Sequence, residues 1–525
     1  MLQSLPLGRS TFSALRAKNE IYVDKTRFIY ELARSDSKIF LARPRRFGKS
    51  LLTSTFESLF KHGLRDFKEL AIENLWNDKT YNVVRLDFSE AKEFVTADDF
   101  RKVFYARIGS KFREVGFKES ENGDDFVTQL STWLRSLDDS SLVLLIDEYD
   151  APLTSCLNNK DLFNAVRSIM SELFLTLKSN EGCLRFFFMT GITKFSNTSI
   201  FSAFNNLLDI SLYPQFGTLL GYTEAEIKLY FKDHLVRAAE QLQLTVDQVI
   251  ENLKENYDGF SFDMKAETHV FCPWSVLNFL SYPELGFKNF WYTSGGQPTV
   301  LMKYLDQHAL SQPISYSENK MVRLSDLNTS RQYDEISLEV LLTQAGYLTI
   351  RSVMKNGYAI LGYPNQEVST SMAQLYSDEL LKGHPLEKPQ NPMISDTMAN
   401  GKVEDVIEAF NRAVAAIDYH RYPITDEASC RAYLQVLLIG AAMIPRVEVH
   451  NALGRSDMEV DIGKRHWVFE FKYAKENDCV SDLLEKAETQ VKNRQYGLQH
   501  GNQELIRIAI VFSGKERRFC AWKCV

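Results

Sequence analysis

The chain has 525 residues, 45% of them hydrophobic, 12% aromatic and 25% charged, which excludes a disordered or fibrous polymer. With 61 Lys and Arg against 68 Asp and Glu, a net charge of −7, it is no wholesale polyanion coat, so any nucleic-acid contact comes from local basic patches. No apolar run approaches the ~20 residues a membrane helix needs. The opening MLQSLPLGRSTF lacks the charged head, apolar stretch and small-residue cleavage site of an export signal. Cys156, Cys183, Cys272, Cys430, Cys479, Cys520 and Cys524 are odd in number and scattered, which fits free thiols in a reducing compartment. A cytoplasmic protein without a membrane partner is expected.

At roughly 100–200 residues per domain, the length predicts about three domains. From Lys38 to Leu212, short β-branched or aromatic runs alternate with helix-length stretches. Strands are predicted at Lys38–Ala42, Val83–Phe88, Leu142–Ile146, Leu184–Met189 and Leu208–Leu212. Such spacing implies crossover connections and a parallel sheet covered on both faces. Thr223–Phe290 reads as mainly helical, with one helix over Glu224–Gln241, and Ile336–Val368 as a helix followed by a hairpin, the shape of a small winged-helix-like module. Pro385, Pro389 and Pro392 mark a linker over Lys382–Ser395. Beyond it, helix Asp426–Met443 precedes strand-like runs Arg446–His450, Asp457–Ile462 and His466–Lys472, then helix Val480–Gln499 and strand Ile506–Phe512.

The run IFLARPRRFGKSLLTSTFESLF, Ile39–Phe60, is strand, loop and amphipathic helix. Where the loop becomes the helix, Arg46, Phe47, Gly48, Lys49, Ser50 and Leu51 are placed to cradle phosphates. Backbone N–H groups and the positive helix end face the anion, the lysine reaches the β- and γ-phosphates, and the serine hydroxyl binds Mg²⁺. A full Walker A loop has glycine where this chain has Arg43, and a Gly-Lys-Ser/Thr triplet arises by chance in roughly a quarter of chains this long. The loop gains force from LVLLIDEYD, Leu142–Asp150, a buried strand delivering Asp147 and Glu148 to the carboxyl edge of the sheet, where ligands bind in parallel α/β folds. There Asp147 is expected to hold Mg²⁺ and Glu148 to orient or deprotonate the attacking water. Thr190, ending the strand Leu184–Met189, is placed to sense the γ-phosphate. Taken singly, Lys49 reads equally as a surface lysine and Asp147 as a strand-end cap; their joint order and strand contexts favour an ATP site.

These stretches resemble the prokaryotic AAA-ATPase-like family, P-loop ATPases usually joined to a C-terminal PD-(D/E)XK-type nuclease domain. The resemblance is carried by YVDKT (Tyr22–Thr26), RPRRFGKS (Arg43–Ser50), LIDEYDAPL (Leu145–Leu153), SIFSAFNN (Ser199–Asn206), YDGFSF (Tyr257–Phe262), CPWSVLNFL (Cys272–Leu280) and FWYTSG (Phe290–Gly295). Arg43 in place of glycine is similar to the family's own loop. GTLLGYTEAEI, Gly217–Ile227, departs from the family's direct run from Phe-Gly into a Phe-Thr-x-x-Glu helix start, although Thr223 and Glu226 still form a capping box. Arg45 and Arg46 are open among phosphate neutralisation, nucleic-acid binding and bracing of the loop. Asp24 and Lys25 are open between a contact to the nucleotide base and a structural role, which is favoured. An arginine supplied by a neighbouring subunit would imply a homo-oligomer.

Near the C-terminus, Glu-x-Lys alone says nothing, because it recurs at Glu90/Lys92, Glu226/Lys228 and Glu318/Lys320. Glu470/Lys472 differs in context: HWVFEFKY alternates as a strand, placing both side chains on one face. The preceding GRSDMEVDI supplies Asp457, and a turn at Gly463 closes a hairpin on which Asp457 and Glu470 converge. Two carboxylates and an amine suit phosphodiester hydrolysis, the acids binding Mg²⁺ (or Mn²⁺) and the lysine stabilising hydroxide or developing charge. The Phe471 carbonyl would complete the coordination, and Glu427 would add a carboxylate. Gln490, with Arg494 and Tyr496, is offered by the following helix. Asp461 rivals Asp457 on the same strand face. Helix, three strands, helix and strand is the order of a PD-(D/E)XK core, which the GR-x-D, E-F-K and Gln…Tyr motifs also resemble. Lys515, Arg517, Arg518 and Lys523 are either a phosphate-tracking rim or a solvated face.

The expected fold class is α/β: a P-loop ATPase core with a parallel sheet (1–222), a helical lid (223–290) and a winged-helix-like module (291–382), then a restriction-endonuclease-like α/β domain (396–525). The expected function is ATP binding or hydrolysis coupled to a Mg²⁺-dependent nuclease, with DNA favoured over RNA and defence against foreign DNA as the setting. The rival is a nucleotide-controlled switch or scaffold whose nuclease-like domain only binds nucleic acid or a protein partner.

Overall fold

The structure, a computed structural model, describes residues 2–120, 125–194, 207–291, 319–328, 337–380, 393–417, 419–420, 422–441, 443–451, 453–497 and 503–525. They fall into two compact units, one holding the described residues up to Val368 and the other those from Ser369 onward. Most of the proline-bearing linker, the SIFSAFNN motif and the end of FWYTSG lie outside the described residues.

In the first unit, β1 (Lys38–Ala42), β2 (Asn82–Asp87), β3 (Leu142–Asp147), β4 (Leu184–Gly191) and β5 (Leu207–Asp209) form one sheet in the order β2-β3-β4-β1-β5. Every pairing is parallel, as the helix-length spacers require. All six residues of β3 are buried, which explains its unbroken aliphatic run. Although β2 follows the phosphate loop in the chain, it is an edge strand; β4 is the strand interposed between β1 and β3. The loop strand and the acidic strand therefore flank β4, and all three deliver their C-terminal ends to one edge.

The helical region has four helices, Glu224–Tyr230, Lys232–Leu242, Val246–Tyr257 and Pro273–Ser281. The single helix expected over Glu224–Gln241 is broken at Phe231, whose backbone (φ −112°, ψ 18°) leaves the helix while its ring is fully buried. Burying that ring with Ile227, Leu235 and Phe271 outweighs one continued turn. Next, β6 (Lys320–Arg323), β7 (Thr349–Val353) and β8 (Tyr358–Gly362) form an antiparallel sheet in the order β6-β8-β7 beside helix Leu338–Ala345. Gly346 ends that helix at φ 86° with its Cα against Pro44, where a Cβ would come within 2.8 Å of the proline ring.

The second unit carries β9 (Pro445–Asn451), β10 (Gly454–Ile462), β11 (Arg465–Ala474), β12 (Glu504–Ser513) and β13 (Arg518–Cys524) in the order β13-β12-β11-β10-β9. β11 and β12 pair in parallel and the others antiparallel, with helix Val480–Arg494 as the crossover. Trp467, Phe469 and Phe471 stack along one face of β11 and meet Phe410. His466, Val468, Glu470 and Lys472 take the other face, where Val468 packs on Val491 and Tyr496. The crossover helix stops at Arg494 rather than at Gln499, because Gln495 turns left-handed at φ 49°. Strand β13 was hidden in the sequence by its charges.

Candidate functional site

Helix Lys49–His62 starts directly after Gly48, whose φ of 93° lets the loop turn into the helix without strain. Lys49 is buried, and its Nζ donates to the carbonyls of Arg43 and Pro44 at 2.9 Å each, curling the loop around the ammonium. Burial lowers its pKa, opposed by the charges of Glu148, Asp147 and Asp150. Arg43 does not face a phosphate. Its fully buried guanidinium donates to the carbonyls of Ala42, Ser211 and Phe216 and lies 4.3 Å over the Phe262 ring. It is a strut joining the loop to the end of β5. Arg46, at φ 72°, stacks 4.2 Å from the Trp274 ring, and Phe47 packs edge-on against Phe260 and Phe262. YDGFSF and CPWSVLNFL thus form an aromatic bed under the loop. Leu51 and Ser50 open the helix, and the Ser50 carbonyl accepts from Arg85 Nη2 at 3.3 Å.

At the adjoining strand ends, Asp147 is buried, and its Oδ1 accepts from Thr190 Oγ1 at 2.6 Å and from the Glu148 N–H at 3.1 Å. Its Oδ2 is buried without a hydrogen bond, 3.8 Å from Arg85 Nη2. A buried carboxylate oxygen left unmet beside a phosphate loop fits a cation such as nucleotide-bound Mg²⁺. Glu148 turns through φ 48°, and burial raises its pKa against the opposing charge of Lys49. Asp150 accepts from the Ile192 and Thr193 N–H groups and the Thr193 hydroxyl, so it braces β4 rather than facing a ligand. Asp24 and Lys25 are braces as well: Asp24 accepts from Thr26 and Ala71, and Lys25 Nζ pairs with Glu226 at 2.6 Å.

In the second unit, Asp457 Oδ2 accepts the Phe471 N–H at 2.8 Å, which draws the two strands' functional positions together. Lys472 Nζ lies 3.1 Å from Glu470 Oε1, 3.0 Å from the Phe471 carbonyl and 3.5 Å from Glu427 Oε2. Glu470 Oε2 is buried and unpartnered. Burial, reinforced by the charge of Asp457, pushes the Glu470 carboxyl up to about 7, and burial also raises Asp457. Burial pulls Lys472 down, but Glu470 and Glu427 hold it above the ordinary lysine value. Among the described residues no three His, Cys, Asp or Glu side chains are grouped to hold a metal ion unaided. Two carboxylates, a carbonyl and retained waters nevertheless suit Mg²⁺, which keeps several waters. The orphaned Glu470 oxygen and the raised carboxyls mark a site that gains from a cation.

Residues 6–201 match the AAA-ATPase-like family model, described as a predicted AAA-ATPase. Residues 429–522 match the PD-(D/E)XK nuclease superfamily model. The chain thus joins a region matching the AAA-ATPase-like model to one matching the PD-(D/E)XK nuclease superfamily model. An uncharacterized protein in the vnfD 5′ region of Azotobacter chroococcum mcd 1 is 28% identical over 480 residues, 90% of this chain and 89% of the relative. Among solved structures, Cdc6p from Pyrobaculum aerophilum aligns at 12% identity over 84% of this chain and 88% of its own, with a TM-score of 0.25. The ORC2 protein of Aeropyrum pernix aligns at 13% over 71% and 95%, with a TM-score of 0.20. Scores this low carry no weight, and the parallel α/β fold of the first unit rests on the strand order described above.

In the second unit, Asp457, Glu470, Lys472 and the Phe471 carbonyl of the nuclease-superfamily match come together with Glu427 just before it. Gln490 is engaged beyond the end of its own helix, its Nε2 meeting Tyr496 Oη at 3.4 Å. Asp461 is engaged elsewhere, by Arg446 and His466 at 2.6 Å each, which removes it as the rival of Asp457. The basic C-terminal residues are largely paired: Lys523 with Glu488, Lys515 with Glu476, and Arg517 over Tyr419. Sequence reading missed Arg85 in the AAA-ATPase-like domain, which lies between Glu57, the Ser50 carbonyl and Asp147. An arginine among the apolar residues Val83, Val84 and Leu86 of the NVVRLD strand was its signal. Arg431, four residues after Glu427, and Glu448 were missed in the nuclease superfamily domain.

Proposed function

We propose that the protein binds and hydrolyses ATP and couples this to a Mg²⁺-dependent nuclease that cleaves phosphodiester bonds, with DNA as the favoured substrate and defence against foreign DNA as the setting. The observation that carries the reading is Glu470 Oε2, a buried carboxylate oxygen with no partner beside Asp457 and Lys472. In this reading residues 1–222 are the ATPase core, 223–290 the lid, 291–382 the winged-helix-like module and 396–525 the nuclease.

Lys49, Ser50 and the loop from Arg46 to Leu51 hold the triphosphate, Asp147 and Ser50 hold its Mg²⁺, and Glu148 takes a proton from the attacking water. The raised pKa of Glu148 suits that role. Thr190 fixes the orientation of Asp147. In the nuclease, Asp457, Glu470 and the Phe471 carbonyl hold the divalent ion, and Lys472 stabilises developing negative charge. A bound divalent ion supplies charge neutralisation and a more acidic water. Glu427 keeps Lys472 protonated and in place, and Gln490 contributes from the following helix.

The second reading, a nucleotide-controlled scaffold that only binds nucleic acid or protein, is favoured by Arg431 lying 3.9 Å from Asp457. Plasmid nicking assayed beside particle size, each with and without ATP, separates them. A size change without metal-dependent nicking supports the scaffold.

A further inference from the structure

Arg431 shares a helix face with Glu427, one turn away. Its Nη1 stands 3.0 Å from Glu448 Oε1 and 3.9 Å from Asp457 Oδ1. The other oxygen of Glu448, Oε2, is 3.0 Å from Nη1 of Arg455, the arginine of the GRSD motif. The β9–β10 register sets Ser456 opposite Val449 and Met458 opposite Val447, so Glu448 lies across from Asp457. Its backbone is held at φ 54°, a left-handed conformation unusual for glutamate in a strand.

One carboxylate bridged by two guanidinium groups is the charge pattern of a bound phosphodiester, whose two free oxygens would each meet one donor fork. Arg431 is partly exposed and Arg455 half exposed, so both reach solvent. The nearest approach of Arg431 to each of its ion-pair partners is through Nη1. Glu427, Asp457 and Glu470 around one Lys472 would otherwise repel a polyanion. A cationic pair at their rim supplies what the acids lack.

We propose that Arg431 and Arg455 form a subsite for a backbone phosphate of the nucleic-acid substrate, and that Glu448 occupies it as an internal phosphate mimic until a strand displaces it. The subsite rests on the nuclease reading for the nature of its ligand. Glu448 sets a threshold: a strand must outcompete a tethered carboxylate before its backbone docks beside Asp457.

The test measures binding of a short fluorescein-labelled DNA duplex to the full-length protein in Ca²⁺ at several salt concentrations, with cleavage in Mg²⁺ assayed separately. Arg431→Ala and Arg455→Ala are each expected to weaken binding about tenfold and to reduce the salt slope by about one. Glu448→Gln, which keeps the shape and removes the charge, is expected to tighten binding severalfold. The proposal is overturned if both alanine variants bind within twofold of wild type. It is also overturned if Glu448→Gln weakens binding as the arginine variants do, or if the wild-type protein binds no duplex. The nuclease reading fails separately, if Glu470→Ala cleaves as wild type does; arginine-dependent binding then still establishes the subsite.

Discussion

Thr190 donates its hydroxyl to Asp147 Oδ1 at 2.6 Å, tying the ends of β4 and β3 together and leaving Oδ2 unmet inside the site. A carboxylate anchored by one oxygen is pre-aimed by the other. Thr190→Val keeps the shape and removes the donor. Calorimetry should show MgATP affinity reduced by about tenfold, the worth of one hydrogen bond to a charged group.

Lys49 holds the loop by donating to two of its carbonyls, and a bound triphosphate would compete for the same ammonium. MgATP at about a hundred times its Kd should stabilise the wild-type protein by about 2.7 kcal/mol. In Lys49→Ala that stabilisation should vanish from thermal melts with and without nucleotide. A ligand-induced shift of wild-type size in the variant contradicts the assignment.

Arg43 occupies the position of a missing glycine, yet Arg43→Gly should not improve nucleotide binding. The substitution strips the donors from the buried carbonyls of Ala42, Ser211 and Phe216. Each unmet buried polar group costs about 1–3 kcal/mol. Denaturant unfolding should therefore report a loss of several kcal/mol, and a variant as stable as wild type contradicts the strut.

Glu367 is buried, accepting from Ser275 Oγ and from the N–H groups of Phe290 and Trp291. Burial outweighs these donors and pushes its carboxyl up to about 8. The unfolded glutamate ionises near 4.5, so between these values the folded state holds the extra proton. The contribution of Glu367 is complete below the lower value, falls as pH rises through the window, and is flat above the upper one. Melting Glu367→Gln across pH 5 to about 9 should show a shallower decline than wild type. An unchanged slope contradicts it.

Much of the fold was legible because burial on both faces of a parallel strand forces an unbroken apolar run, as in Leu142–Asp147. The alternation of Trp467, Phe469 and Phe471 against Glu470 and Lys472 likewise wrote the faces of β11 into the sequence. What stayed hidden depends on neighbours distant in the chain. Arg43 reads only as a departure from the Walker A glycine until the carbonyls of Ser211 and Phe216 are seen around it. Asp461 reads as a metal ligand until Arg446 and His466 claim it, and Glu448 gains meaning only opposite Asp457. Strand β13 was missed because Arg518 and Lys523 obscure its period.

The most direct test of the account is cleavage of supercoiled plasmid by the purified full-length protein in Mg²⁺ and ATP, set beside Glu470→Ala. Wild type should convert the plasmid to nicked or linear forms, and the variant, purified identically and folded by circular dichroism, should leave it supercoiled. Equal cleavage by the two proteins contradicts the hydrolytic role of the Asp457–Glu470–Lys472 hairpin.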